Sequence, residues 1–234
     1  MVYYIMSEDL FFQHTFKAAG TAMLRWIEKA YPYDHTYCGA DMCHISNRNW
    51  KRSFTTIRNP YDRLVSMYKN LVLSSKIRTV VNTQPLITQH YILLRDGYSG
   101  EYTFSDFVDR VVALKDFKFN YVIMCNARKS NYENLNDKLH QINMEFHWNN
   151  LTCIHTLPMT HSWLQTDKFK DILRFENLQN DFTEFLVKYD FEPSVLVYDN
   201  VTWSEPYQGY YDNRTRDKVA EYYKEDLLTF DYKF

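Results

Sequence analysis

Residues 11–24 read FFQHTFKAAGTAML. An apolar run gives way to a lysine, two alanines, a glycine and a threonine, and then a second apolar run begins. Residues 10–15 have the length and composition of a buried strand. From Thr21 to Ala30, the apolar positions Met23, Ile27 and Ala30 recur at helical spacing. The stretch therefore predicts a strand feeding a helix through a short loop. A helix N-terminus offers unpaired N–H groups and the positive end of the backbone dipole, so such a loop suits an anion. Lys17 adds a mobile charge and Thr21 a hydroxyl, while Ala18, Ala19 and Gly20 let the backbone come close. The GxxxxGK[ST] spacing of an ATP-binding loop is missing. A plain strand-turn-helix with an exposed lysine has the same sequence, so this loop alone leaves both readings open.

A second joint of the same kind lies at FTTIRNPYDRLVSMYKN, residues 54–70. Ser53 to Ile57 is β-branched and aromatic, a strand. Asn59 then stands as N-cap, Pro60 at the first helical position and Asp62 in the first turn. Leu64, Tyr68, Leu71 and Val72 make the apolar face; Arg63, Ser66 and Asn70 share a different one. Arg58 ends the strand, where α/β sheets place their ligand crevice. An arginine fork there, with Ser66 two turns into the helix, suits a second phosphate. The alternative makes Arg58 and Arg63 surface ion pairs and Ser66 incidental. Two anion sites on successive joints point to one ligand with phosphates at both ends.

Residues 75–150 are mostly helical in pattern, including TFSDFVDRVVAL with Thr103 or Ser105 as cap. DILRF (171–175) reads as a strand, ENLQNDFTEFLVKY after it as an amphipathic helix, and RTRDKVAEYYKEDLLTF as a helix again. Strands alternating with helices predict an α/β fold, a central mostly parallel sheet flanked by helices, as one domain over 1–234.

Composition narrows the function classes. With 45% hydrophobic residues the 234-residue chain can build a real core, and 18% aromatic residues argue against disorder. The net charge of −2 gives no global pull toward nucleic acid or an anionic membrane, so any anion site is local. Cys38, Cys43, Cys125 and Cys153 form no CxxC pair, which favours a reduced compartment. There is no signal-peptide pattern and no apolar run of about 20 residues. No metal-ligand cluster stands out.

These motifs resemble the sulfotransferase superfamily, in the branch of the Golgi carbohydrate sulfotransferases and their bacterial and viral relatives. That family's first motif is similar to HTFKAAGTA, with Phe16 in place of a proline and Ala22 where serine is common. Its second is met by Arg58, Asn59, Pro60, Arg63, Ser66 and Tyr68, and ILRFENLQNDF and the 210–234 stretch resemble its later landmarks. The resemblance implies a P-loop-NTPase-like fold and 3′-phosphoadenosine 5′-phosphosulfate (PAPS) as donor, with no metal. Lys17, Ala19, Gly20, Thr21 and Ala22 would cradle the 5′-phosphosulfate; Arg58 and Ser66 would take the 3′-phosphate. Lys17 would stabilise the leaving group. His44, between the two motifs, would be the general base that takes the proton of a hydroxyl acceptor, a carbohydrate above all.

His14 belongs to the first strand and is expected to be structural, and Glu176 to anchor a loop. His147, His155 and His161 fall toward the acceptor side by resemblance. Trp148, Trp163, Trp203 and Tyr207 offer flat faces for a sugar or serve as core, and Arg48, Lys51 and Arg52 a basic cluster for an anionic acceptor or a solvated face. Two rivals stand beside this reading: a non-catalytic nucleotide-binding or scaffold protein of the same fold, and an ATP-dependent kinase. The short lead before the first strand suggests a cytoplasmic enzyme, as in bacteria or viruses; the alternative is the catalytic domain of a Golgi-lumenal one.

Overall fold

The computed structural model of the protein describes residues 2–37, 52–69, 103–115, 155–161, 164–197 and 205–234. Five strands form one open sheet: β1 (Val2–Ile5), β2 (Leu10–Gln13), β3 (His35–Tyr37), β4 (Arg52–Ile57) and β5 (Asp171–Arg174), in the order β3-β1-β2-β4-β5. β2 pairs parallel with β4, and β4 with β5, whereas β1 is antiparallel to both its neighbours. Four strands thus point one way and only β1 runs against them, the mostly parallel sheet that the alternation of elements predicts.

The sequence reading lacks β1 and β3, and with β1 the hairpin β1–β2. Val-Tyr-Tyr-Ile has strand composition, but its turn carries no Asn-Gly or Asp-Gly signal; Asp9 takes the left-handed conformation instead (φ 47°). The hairpin turns β2 from an edge into an inner strand. Leu10, Phe12 and Gln13 are then fully buried, which explains why β2 is a continuous apolar run rather than an alternating one. The Nε2 of buried Gln13 donates to the Leu164 carbonyl at 2.8 Å.

The chain forms two compact units, one of residues 1–63, 158–206 and 223–234, the other of 64–157 and 207–222. The first holds the sheet with α1 (Gly20–Ala30), the opening of α2 (Pro60–Tyr68), and α4 (Leu178–Lys188). Its core is aromatic: Trp26 of α1 meets Phe182 of α4 edge-on at 5.1 Å, and Phe54 of β4 stacks on Phe12 of β2 at 4.8 Å. Such pairs add about 0.5–1.5 kcal/mol each beyond the area they bury.

In the second unit, α3 (Phe104–Ala113) runs with α5 (Asn213–Tyr222), and Asp109 accepts from both Arg214 (2.9 Å) and Lys218 (2.7 Å). Thr103, not Ser105, caps α3: its hydroxyl accepts from Asp106 N–H while the Asp106 carboxylate accepts from Thr103 N–H, a reciprocal capping box. The helical tail is not continuous. It breaks at Tyr223, whose backbone leaves the helical range (φ −103°, ψ 21°), before α6 (Lys224–Thr229) in the first unit; the Tyr223 ring is buried with the Arg63 guanidinium over it. The rest of the expected helical middle lies outside the described residues. No helix among the described residues is long and apolar enough to cross a membrane.

Candidate functional site

The parallel strands β2, β4 and β5 deliver their C-terminal ends side by side, and three short segments follow them: residues 14–19, Arg58–Asn59 and Phe175–Asn177. Arg58 ties the three together. Its Nε donates to Asp62 Oδ2 at 2.8 Å, its Nη1 to the Lys17 carbonyl at 3.3 Å, and its guanidinium lies 4.0 Å above the centre of the Phe175 ring. The two joints that the sequence reading assigns to one ligand are therefore in contact through Arg58. Arg58 does pair with a carboxylate, but as a clamped side chain only 13% exposed rather than a loose surface ion pair. Arg63 is not a surface charge either: it is 2% exposed and beside the buried Asp226.

Lys17 is the electrostatically unusual member. Burial, with the nearby Arg58 cation second, pulls its pKa from 10.5 down to about 8. No described carboxylate pairs with its ammonium. Arg58 is already paired with Asp62, so Lys17 is the desolvated cation of the site whose charge an anion would compensate.

The loop backbone is strained to present this face. Lys17 (φ 61°) and Ala19 (φ 62°) are both left-handed without being glycine, at about 1–2 kcal/mol each. Ala19 is the N-cap of α1 and has no side chain to cap with, and the first turn carries no acid. The N–H groups of Gly20 and Thr21 find no acceptor among the described residues. Those of Ala22 and Met23 donate to the Ala19 carbonyl at 3.0 and 3.3 Å. Of the expected cradle, Gly20 and Thr21 thus have N–H groups to offer, while Ala22 is buried with its N–H engaged. Ser66, in the part of α2 that belongs to the second unit, is 8% exposed.

Gly20 makes room for a neighbour. A Cβ at this position would lie 1.7 Å from Cδ2 of His14, whose ring also faces Phe12 and Phe16 at 6.3 and 5.5 Å. His14 is therefore packing that sets the entry to α1. In a helix interior propensity favours Ala over Gly by about 1 kcal/mol; Gly20 is the first residue of α1, so less than that is on offer. The collision reverses the sign, and the expected result is a loss of about 1–3 kcal/mol. Denaturant melts check this: His14→Ala in the same chain should recover most of the loss, and an unchanged midpoint for Gly20→Ala alone would disprove the packing account.

Asn59 caps α2 as expected, its Oδ1 accepting from Tyr61 N–H at 3.0 Å, and Glu176 Oε1 accepts from Asn59 N–H at 2.6 Å. Glu176 is thus an anchor of the Arg58 turn. Arg52 is no free member of a basic cluster: it pairs with Glu8 at 3.0 Å and lies over the Tyr189 and Phe191 rings. His161 sits in the 158–165 turn whose backbone the buried Asp226 holds, through Met159 N–H (2.7 Å) and Thr160 N–H (2.8 Å); burial lowers its pKa. Tyr207 opens a 3₁₀ turn (Tyr207–Tyr210) in the second unit, and His155 is half-buried. His44, His147, Trp148, Trp163, Trp203, Arg48, Lys51 and the four cysteines lie outside the described residues. Sequence reasoning missed Phe175 as the platform for Arg58 and Asp62 as its clamp. The i,i+4 spacing of Arg58 and Asp62 was the available signal for the second.

Over residues 8–233 the chain matches the family described as "Sulfotransferase family". No curated protein and no solved structure matches it.

Proposed function

The chain belongs to the sulfotransferase family, a family of transferases, and we propose that its donor is PAPS and its acceptor a hydroxyl, that of a carbohydrate in the first place. The fold in this reading is the P-loop-NTPase-like one. Lys17 and the N–H groups of Gly20 and Thr21 bind the 5′-phosphosulfate, with Ala19 and Ala22 shaping the loop. Arg58 and Ser66 bind the 3′-phosphate. The observation that supports this best is the junction of Lys17 and Arg58 on neighbouring joints, one cation desolvated and the other held rigid.

The chemistry is a single in-line transfer. The acceptor oxygen forms a bond to sulfur as the bond from sulfur to the bridging phosphate oxygen breaks, and adenosine 3′,5′-bisphosphate leaves with that electron pair. His44 takes the proton from the hydroxyl, and Lys17 stabilises the charge growing on the bridging oxygen. No metal is required by this scheme.

Thermal melts test the donor reading. Adenosine 3′,5′-bisphosphate at about 100 times its dissociation constant should stabilise the fold by about 2.7 kcal/mol. For a chain of this size that raises Tm by about 5–10 °C, without metal, whereas AMP at the same concentration should do much less. Stabilisation by ATP with magnesium in its place would favour the kinase reading, and none by any nucleotide would favour a non-catalytic one.

A further inference from the structure

We propose that Glu176 and Tyr232 are positioning residues for Arg58, so that the segment following α6 sets how tightly the site holds a 3′-phosphate. This deepens the donor reading above and rests on it. Neither residue is a candidate ligand contact; both act through the turn that carries the arginine.

Glu176 uses both carboxylate oxygens. Oε1 accepts from Asn59 N–H at 2.6 Å, and Oε2 accepts from the Tyr232 hydroxyl at 2.9 Å. Hydrogen bonds to an ionised acceptor are the stronger kind. Burial and the Glu176 charge push the Tyr232 pKa far up, so the phenol remains a donor throughout the working range. The same segment reaches the turn a second way: Asn59 Nδ2 donates to the Lys233 carbonyl at 2.7 Å, and the Phe234 ring meets Tyr61 edge-on at 4.9 Å.

The adjacency of Phe175 and Glu176 links these contacts to Arg58. Phe175 is the surface on which the guanidinium lies, and the next residue grips the backbone that bears it. One carboxylate therefore registers platform and turn against each other. A planar fork reads a phosphate by geometry, and misplacement of about 1 Å costs as much as 10²-fold. Glu176 is itself exposed at the surface, so what it contributes is register rather than a buried core.

Calorimetric titration of adenosine 3′,5′-bisphosphate and of AMP tests this on the whole chain, with Tyr232→Phe and Glu176→Gln beside wild type. The ratio of the two affinities isolates the 3′-phosphate. Tyr232→Phe keeps the ring that lies 5.0 Å from the Arg174 guanidinium and removes the hydroxyl, which donates to Glu176 and also interacts with Arg174. It should lower the ratio about 3–10-fold, and Glu176→Gln about 10-fold or more, with AMP affinity unchanged within about twofold. A purely structural role would weaken both nucleotides together and leave the ratio alone. If wild type shows the preference and Tyr232→Phe keeps it in full, the positioning role is wrong even should Glu176→Gln fail to fold. If wild type shows no preference for the bisphosphate, the donor reading fails and this inference goes with it.

Discussion

Lys17→Ala is expected to cut kcat for sulfuryl transfer about 10²–10³-fold, the usual cost of removing one group aimed at charge that develops in the transition state. The 3′-phosphate preference should survive, because Arg58 keeps its clamp on Asp62 and its seat on Phe175. The pH behaviour makes the expectation specific. With its pKa at about 8 in the free protein, Lys17 is charged at pH 7 and largely neutral at pH 9.5. A bound polyanion favours the charged form, so binding takes up a proton and the bisphosphate should bind progressively more weakly from pH 8 to 10. In Lys17→Ala that slope should vanish. A variant that keeps kcat within about threefold, or keeps the slope, would remove Lys17 from the chemistry.

Stability carries the opposite sign in the same window. Between about pH 8 and 10.5 the unfolded chain holds a proton on Lys17 that the folded chain has given up, so folding stability rises with pH there. It is lost as pH falls through the folded value, where a desolvated ammonium must be retained. The site is thus least favourable for its own fold in the pH range where it is best prepared to bind an anion.

Arg58→Ala is expected to weaken the bisphosphate about 10–100-fold while AMP is little affected, the worth of charge-assisted bonds from a guanidinium to a phosphate. Arg58→Lys should recover only part, since an ammonium has neither the fork nor the flat face that lies on Phe175. The substitution has a second readout free of any ligand. Arg58 is one of the two causes of the low Lys17 pKa, so Arg58→Ala should move the Lys17 titration upward, observable by NMR of the labelled lysine side chain. Equal loss of AMP and bisphosphate affinity would show that Arg58 serves the loop rather than the 3′-phosphate.

Where the sequence was readable, its signals were local. Asn59-Pro60 with Asp62 marked the start of α2, and the Asn59 side chain caps it. The periodicity of Met23, Ile27 and Ala30 marked α1; Met23 and Ile27 are buried in the core, whereas Ala30 at the helix end is exposed. Where it misled, the deciding contact came from elsewhere in the chain. Arg63 offered itself as a surface ion pair, yet it is buried with Tyr223 and Asp226 around it. At Gly20 the sequence did not show a packing role: the space its missing side chain leaves is taken by His14.

By itself the sequence determined two strand-to-helix joints, their cations and the class of the fold, because caps, breakers and hydrophobic period act within a few residues of one another. That one ligand could span both joints was legible there too, but the contacts that bring the joints together exist only in the folded chain. Arg58 reaches the Lys17 carbonyl across 41 residues, and Glu176 reaches Asn59 across 117. Both contacts follow from β2, β4 and β5 lying side by side. Strand order is set by which faces the whole chain can bury together, and no short stretch of residues carries that information.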